Sequence, residues 1–149
     1  MSDIQQVQGA RTALGSTGFS SLGSGAYVTT AAYDCTANNP HDVVVEVECA
    51  TSNTPAGNKQ VVVFLKESLD GANYRSGPES GTTTTDELNL RKIGNVPMNS
   101  SGVTQRATFS VREALGYRPN FFKVVLKDEL GVALTAGAVY TSEIAYSAP

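Results

Sequence analysis

Tryptophan is absent from this sequence, histidine occurs once, cysteine twice, and charged residues fill only 17% of its 149 positions. Each shortage excludes something. One histidine (His41) and two cysteines (Cys35, Cys49) fall short of the four ligands of a structural zinc site, or of three plus a water. A Ser-His-Asp arrangement needs an activated serine, and no Gly-x-Ser-x-Gly elbow occurs. The absence of Trp removes the side chain best suited to stacking on sugars. The 11 Lys and Arg are scattered without a basic run and net charge is −3, so nothing in the sequence marks a nucleic-acid partner. No apolar run approaches the ~20 residues of a spanning helix. Residues 1–9 are polar and lack the layout of a secretory signal. The expectation is a chain made and folded in a cytoplasm, without a membrane partner. The tetrapeptide at 127–130 spells an endoplasmic-reticulum retention signal, but it is internal, and that signal is read only at a C-terminus.

What is present suits one domain of ordinary size. Hydrophobic residues make up 40% of the chain, and a fold of this length buries roughly 68–70% of the surface its unfolded chain exposes. With few charges, its surface leans on Ser, Thr, Asn and Gly, which suits broad contact with other proteins because charges are depleted at interface centres.

From residue 26 onward the dominant period is two. Segment 26–33 is rich in β-formers. In 42–50, Val43, Val45, Val47 and Cys49 share one face and Glu46 and Glu48 the other, the pattern of a half-buried strand. In 60–67, Val61, Val63 and Leu65 oppose Val62, Phe64 and Lys66, so both faces are expected to be covered near its start. Segment 86–93 puts Leu88, Leu90 and Lys92 on one face. Segment 104–111 sends Ala107, Phe109 and Val111 inward. Segment 120–127 sets Phe122, Val124 and Leu126 against Phe121, Lys123, Val125 and Lys127, and 138–146 puts Tyr140, Ile144 and Tyr146 together. Gly, Pro, Asn and Ser clusters separate these runs. Residues 111–115 fit a short helical turn ended by Gly116. The expected fold class is all-β, an antiparallel β-sandwich with a jelly roll among the topologies it allows.

Residues 1–25 are punctuated by glycine and rich in Ser, Thr and Gln. They read as an extended N-terminal arm, either a flexible leader or a segment ordered on a neighbouring subunit, followed by the sandwich at 26–149. A hairpin turning at Asn38-Asn39 would place Cys35 opposite Asp42 and Cys49 opposite Val28. Those thiols would be roughly 20 Å apart at ~3.3 Å per residue, beyond disulfide reach, so both cysteines read as small buried hydrophobes.

Catalytic and metal chemistry finds little footing. His41 reads as a solvated turn residue, and Glu46 and Glu48 as the solvent side of a strand. Glu67, Asp70 and Asn73 are oxygen ligands around Gly71, but the EF-hand spacing is absent and Asp-Gly is a tight-turn dipeptide. The expectation is no enzyme, no cofactor and no metal.

The stretch VVVFLKESLDGANYRS at residues 61–76 resembles a pattern in small virion proteins of tailed bacteriophages, an apolar strand running into a Ser-x-Asp-Gly-x-Asn-Tyr turn. The likeness continues through residues 106–111, the Phe-Lys-Val strand at 121–127 and the turn at 129–131, and spans about residues 61–146. It implies a head decoration or cement protein, located on the capsid surface and partnered by the major capsid protein or other virion proteins. A homo-oligomer, dimer or trimer, is expected with it. A tail or neck component is the near alternative, and a carbohydrate-binding or adhesion sandwich the alternative from another class. The resemblance carries no catalytic residues. The expected partner contacts are Ile4, Val7, Leu14, Phe19 and Leu22 of the arm, Asp70, Asn73 and Tyr74 of loop 70–81, and Tyr117 and Arg118 of loop 116–119, since binding residues concentrate on loops over a rigid scaffold.

Overall fold

The structure is a computed structural model that describes residues 4–15 and 18–147. Residues 1–3 and 16–17 of the expected arm, and 148–149 of the expected sandwich, lie outside the described residues. Among the described residues, ten strands form two antiparallel sheets packed face to face. In chain order they are β1 (Gln5–Gln8), β2 (Thr12–Ala13), β3 (Tyr27–Thr29), β4 (Tyr33–Asp34), β5 (Asp42–Ala50), β6 (Gln60–Ser68), β7 (Arg91–Pro97), β8 (Gln105–Ser110), β9 (Phe121–Asp128) and β10 (Ala136–Ser147). A single turn of helix, α1 (Val111–Leu115), joins β8 to β9. One sheet runs β1-β10-β5-β8, with β2 also on β10; the other runs β3-β9-β6-β7, with β4 also on β9. Taking β1/β2 and β3/β4 each as one interrupted strand, eight strands wind between the two sheets as a jelly roll.

The period-two pattern fixes the core. Val43, Val45 and Val47 of β5 face Val61, Val63 and Leu65 of β6 and Phe122, Val124 and Leu126 of β9, all fully buried. The alternate face of β6 is covered as well. Val62 and Phe64 join Tyr27, Val125 and Leu90 in a second cluster beneath the long β6–β7 connection. Lys66 and Lys123 ion-pair with Glu79, and Lys127 with Glu87, which fastens that connection to the sheet. On β10 it is Val139 and Thr141 that point inward. The Tyr140 face turns outward, where the Arg11 guanidinium lies 3.2 Å from the ring centroid and pairs with Glu46.

Three expectations are corrected. The proposed hairpin does not form: β4 pairs with β9 and β5 with β10 and β8, so the Cys35–His41 connection crosses between sheets. Both cysteines are nonetheless buried and free, and burial pushes the Cys35 thiol up to about 11 and that of Cys49 to about 12, which keeps them protonated and unreactive. The expected strand at 86–93 starts only at Arg91. Glu87–Asn89 is a 3₁₀ turn because Glu87 is anchored by Lys127 and by the Tyr27 hydroxyl, leaving Leu88 almost wholly exposed and Leu90 capping the second cluster.

The third correction concerns the arm. Residues 5–8 and 12–13 form the first strand of the roll along the free edge of β10, and Leu14, Phe19 and Leu22 enter the main core. The physical reason is edge satisfaction. Without this segment β10 would leave a row of backbone donors and acceptors unpaired, and the sandwich would be open above Gly137, where Phe19 sits.

The packing of β7 against β8 depends on one glycine. The β6–β7 ladder slips by one residue between Val63 and Phe64, a β-bulge that bends β7. A Cβ at Gly94 would lie 2.3 Å from Phe109 Cε1. Gly94→Ala is expected to lower stability by about 1–3 kcal/mol through overpacking, read as a lower urea midpoint. Shortening the opposing ring with Phe109→Leu in the same chain should recover part of the loss.

Candidate functional site

The connections of the roll collect at its two ends. One end gathers the Cys35–His41 connection, the turn after β6, the loop after α1, and the outer end of β10 paired with β1, as the registers Ser68↔Phe121, Asp34↔Phe121, Ile144↔Asp42 and Gln5↔Ser147 require. Seven of the ten expected contact residues belong to this end. Ile4 and Val7 stand exposed on the β1 ribbon, Asp70, Asn73 and Tyr74 follow β6, and Tyr117 and Arg118 follow α1. Leu14, Phe19 and Leu22 do not join them, since the chain's own core buries them and leaves no surface for a partner.

The turn after β6 is built by its own polar side chains. Asp70 Oδ1 accepts from the backbone N–H of Asn73 (2.8 Å) and Ala72 (2.9 Å), and Oδ2 from Asn73 Nδ2 (2.7 Å). Ser68 Oγ accepts from Gly71 N–H and donates to Asp70. These bonds, the Asn73 backbone N–H first among them, hold the Asp70 carboxyl well below the usual carboxylate range. Its acceptor capacity is used by the turn, which argues against the calcium reading at this place. Among the described residues no group of three or more His, Cys, Asp or Glu could hold a metal ion, and no helix is long and apolar enough to cross a membrane. Gly71 has φ 75°, a left-handed value natural to glycine, and a Cβ there would meet the Phe121 ring at 3.2 Å.

The turn is stiff and pinned. Asn120 Nδ2 donates to Leu69 O (3.1 Å), Arg75 pairs with Glu67 (2.5 Å), Tyr74 bridges to Ser68, and Lys123 covers the Tyr74 ring at 4.4 Å. Tyr74 is thus half-buried scaffold. Leu69 is held outward, 81% exposed. Tyr117 faces it across a shallow cleft floored by Glu67 and Ser68 and rimmed by Asp70 and Asn73, its hydroxyl donating to Glu67 Oε1 (3.4 Å). Burial is the largest influence and opposes the Glu67 charge, but the hydrogen bond and positive charge of Arg75, with backbone and Tyr117 hydrogen bonds, together hold the carboxyl below its ordinary value. A fixed leucine and tyrosine within a polar rim suit recognition of another protein surface.

Sequence reasoning placed both loops but missed Leu69, which reads as the end of the β6 apolar run, because alternation puts it on the same face as buried Leu65. Arg118, adjacent to Tyr117, turns the other way and donates from Nη1 to the carbonyls of Cys35 (3.2 Å) and Pro40 (3.0 Å), so it also fastens the β4–β5 connection. His41 packs on Tyr146, ring centroids 4.4 Å apart, beside Arg112. No model of a known protein family matches the chain, and no curated protein matches it significantly.

Proposed function

We infer that this protein is a structural component of a tailed-phage virion, a decoration or cement protein that sits on the capsid surface and staples neighbouring shell subunits. The observation that carries the reading is spatial. Two of the stretches bearing the resemblance, residues 61–76 and 121–127, lie apart in sequence but form one unit: β6 pairs along β9 from Val61↔Asp128 to Ser68↔Phe121, and the Asp70-Gly71 turn rests on the Phe121 ring, while the stretch at 106–111 lies on β8 of the other sheet. That part of the likeness therefore covers a continuous piece of scaffold and the exposed turn it displays. A rigid, sparsely charged module repeated over a lattice needs only modest affinity per contact, because multivalent attachment multiplies it.

The test is cosedimentation with undecorated shells of the same source, with solution mass by light scattering. Saturable binding at a fixed ratio to the capsid subunit is expected. Leu69→Lys should weaken it by about tenfold or more, as loss of a central apolar contact does, with thermal unfolding unchanged because the side chain is exposed. Failure to bind shells together with a stable ring in solution would replace the head reading by a tail or neck component. A monomer that ignores shells but binds glycans, and loses them with Tyr117→Ala, would replace both by carbohydrate binding.

A further inference from the structure

On the other side of loop 116–119 from the Leu69–Tyr117 cleft lies a second cleft, lined by Asn38, His41, Arg112, Arg118, Ala145 and Tyr146. We propose that it binds carboxylate groups presented by an acidic segment of a partner protein.

Two guanidinium groups line this cleft, and neither has a carboxylate within ion-pair distance among the described residues, whereas Arg11, Arg75 and Arg106 all do. Each arginine carries five N–H donors. Arg118 spends Nη1 on the carbonyls of Cys35 and Pro40. Arg112 spends Nη1 on His41, at Nδ1 (3.0 Å) and the carbonyl (3.2 Å). Nε and Nη2 of both have no protein partner among the described residues, and these are the edges that grip a carboxylate in a two-pronged fork. Arginine cannot accept a hydrogen bond, so His41 Nδ1 must, which leaves Nε2 as the protonated nitrogen and a further donor.

The nearby acids are engaged or face elsewhere. Asp42, buried under the cleft, accepts from Ser110 Oγ (2.5 Å), Val43 N–H (2.7 Å) and Arg112 N–H (2.9 Å). Glu143 accepts from Tyr33 Oη (2.5 Å) and Asn38 Nδ2. Glu113 lines a different cleft with Ile93 and Thr108. On a chain of net charge −3, this is a local concentration of uncommitted donors rather than part of a basic face. That favours a discrete acidic side chain over a nucleic-acid backbone, which needs an extended basic footprint. Arg118 is positioned by the carbonyls it fastens and Arg112 by His41, so the fork is set before the ligand arrives.

The proposal does not rest on the virion reading, since a peptide can bind here whether or not shells do. A fluorescently labelled oligoglutamate peptide, titrated against the full chain by anisotropy at low ionic strength, should bind saturably. Arg112→Gln should weaken it by about tenfold, the loss of one charge-assisted contact. Arg112→Lys should keep part of the affinity as a point charge without the fork. Lys59→Gln, at the opposite end of the roll, should leave it unchanged. Arg112 is exposed, so thermal unfolding of its variants should match the parent. Non-saturable binding, or equal weakening by Lys59→Gln, would reduce the effect to diffuse electrostatics and overturn the site. Tighter binding of inorganic phosphate than of the peptide would reassign the cleft to phosphate and overturn the protein-segment assignment.

Discussion

Phe19→Ala is expected to destabilise the chain by about 3–5 kcal/mol, the usual cost of truncating a buried phenylalanine to alanine. Phe19 is 4% exposed, sits over Gly137 of β10 and shares the main core with Leu14 and Leu22. Backbone bonds close the segment on both sides, Leu14 N–H to Val139 O (2.8 Å) and Leu134 N–H to Leu22 O (2.9 Å). The loss should appear in urea unfolding as a lower midpoint with an unchanged slope. Val7→Ala, on the exposed β1, should shift stability by no more than about 0.5 kcal/mol. The contrast is diagnostic, because in a flexible leader both substitutions would be silent. If Phe19→Ala proves neutral, the first strand of the roll is not part of the folded unit.

The second large effect is a dependence on pH. Asp128 ends β9 with its side chain fully buried. Oδ1 accepts from Leu130 N–H (2.7 Å), while Oδ2 has no hydrogen-bond partner among the described residues. Burial raises the carboxyl from the ordinary 3.8 to about 6, opposed by the backbone N–H bond from Leu130. A raised acid binds its proton more tightly when folded than when unfolded. Its favourable contribution is complete below about pH 4 and is lost as pH rises through about 6. The expected loss is about 3 kcal/mol between those limits. Asp128→Asn keeps an acceptor for Leu130 and cannot ionise, so it should abolish this component. Glu79 acts in the opposite sense, its carboxyl lowered chiefly by the hydrogen bond from Lys66. The readout is therefore the difference between parent and variant stabilities, measured by urea unfolding from about pH 4 to pH 8. A difference that stays constant across that range would show that Asp128 titrates as an ordinary carboxylate.

Strand content and facing were legible in the sequence wherever side chains alternate strictly. In β5 every second residue from Val43 to Cys49 is buried, and the intervening Glu46 and Glu48 meet Arg11 and Arg106 on the outer face. The double-sided burial of β6 was legible for the same reason, and so was the helical turn at Val111–Leu115, whose start is capped by Ser110 Oγ accepting from Glu113 N–H. The two loops that line the Leu69–Tyr117 cleft carried turn residues that announced them. Alternation determines which face of a strand is apolar, because successive side chains leave a strand on opposite sides.

Tertiary structure alone decided which strand lies beside which, and through that the identity of the arm and of both clefts. Alternation says nothing about the neighbouring strand, since a ladder is made of backbone groups common to every residue. Gln5–Gln8 has no apolar face to announce a strand, and it becomes one because β10 offers an unpaired edge. Leu14, Phe19 and Leu22 look like isolated apolar residues among glycines and serines, and they become core because the roll brings them over β10. Tyr117 and Arg118 are consecutive in the chain, yet they serve different clefts, because one meets the turn after β6 and the other the crossing between the sheets.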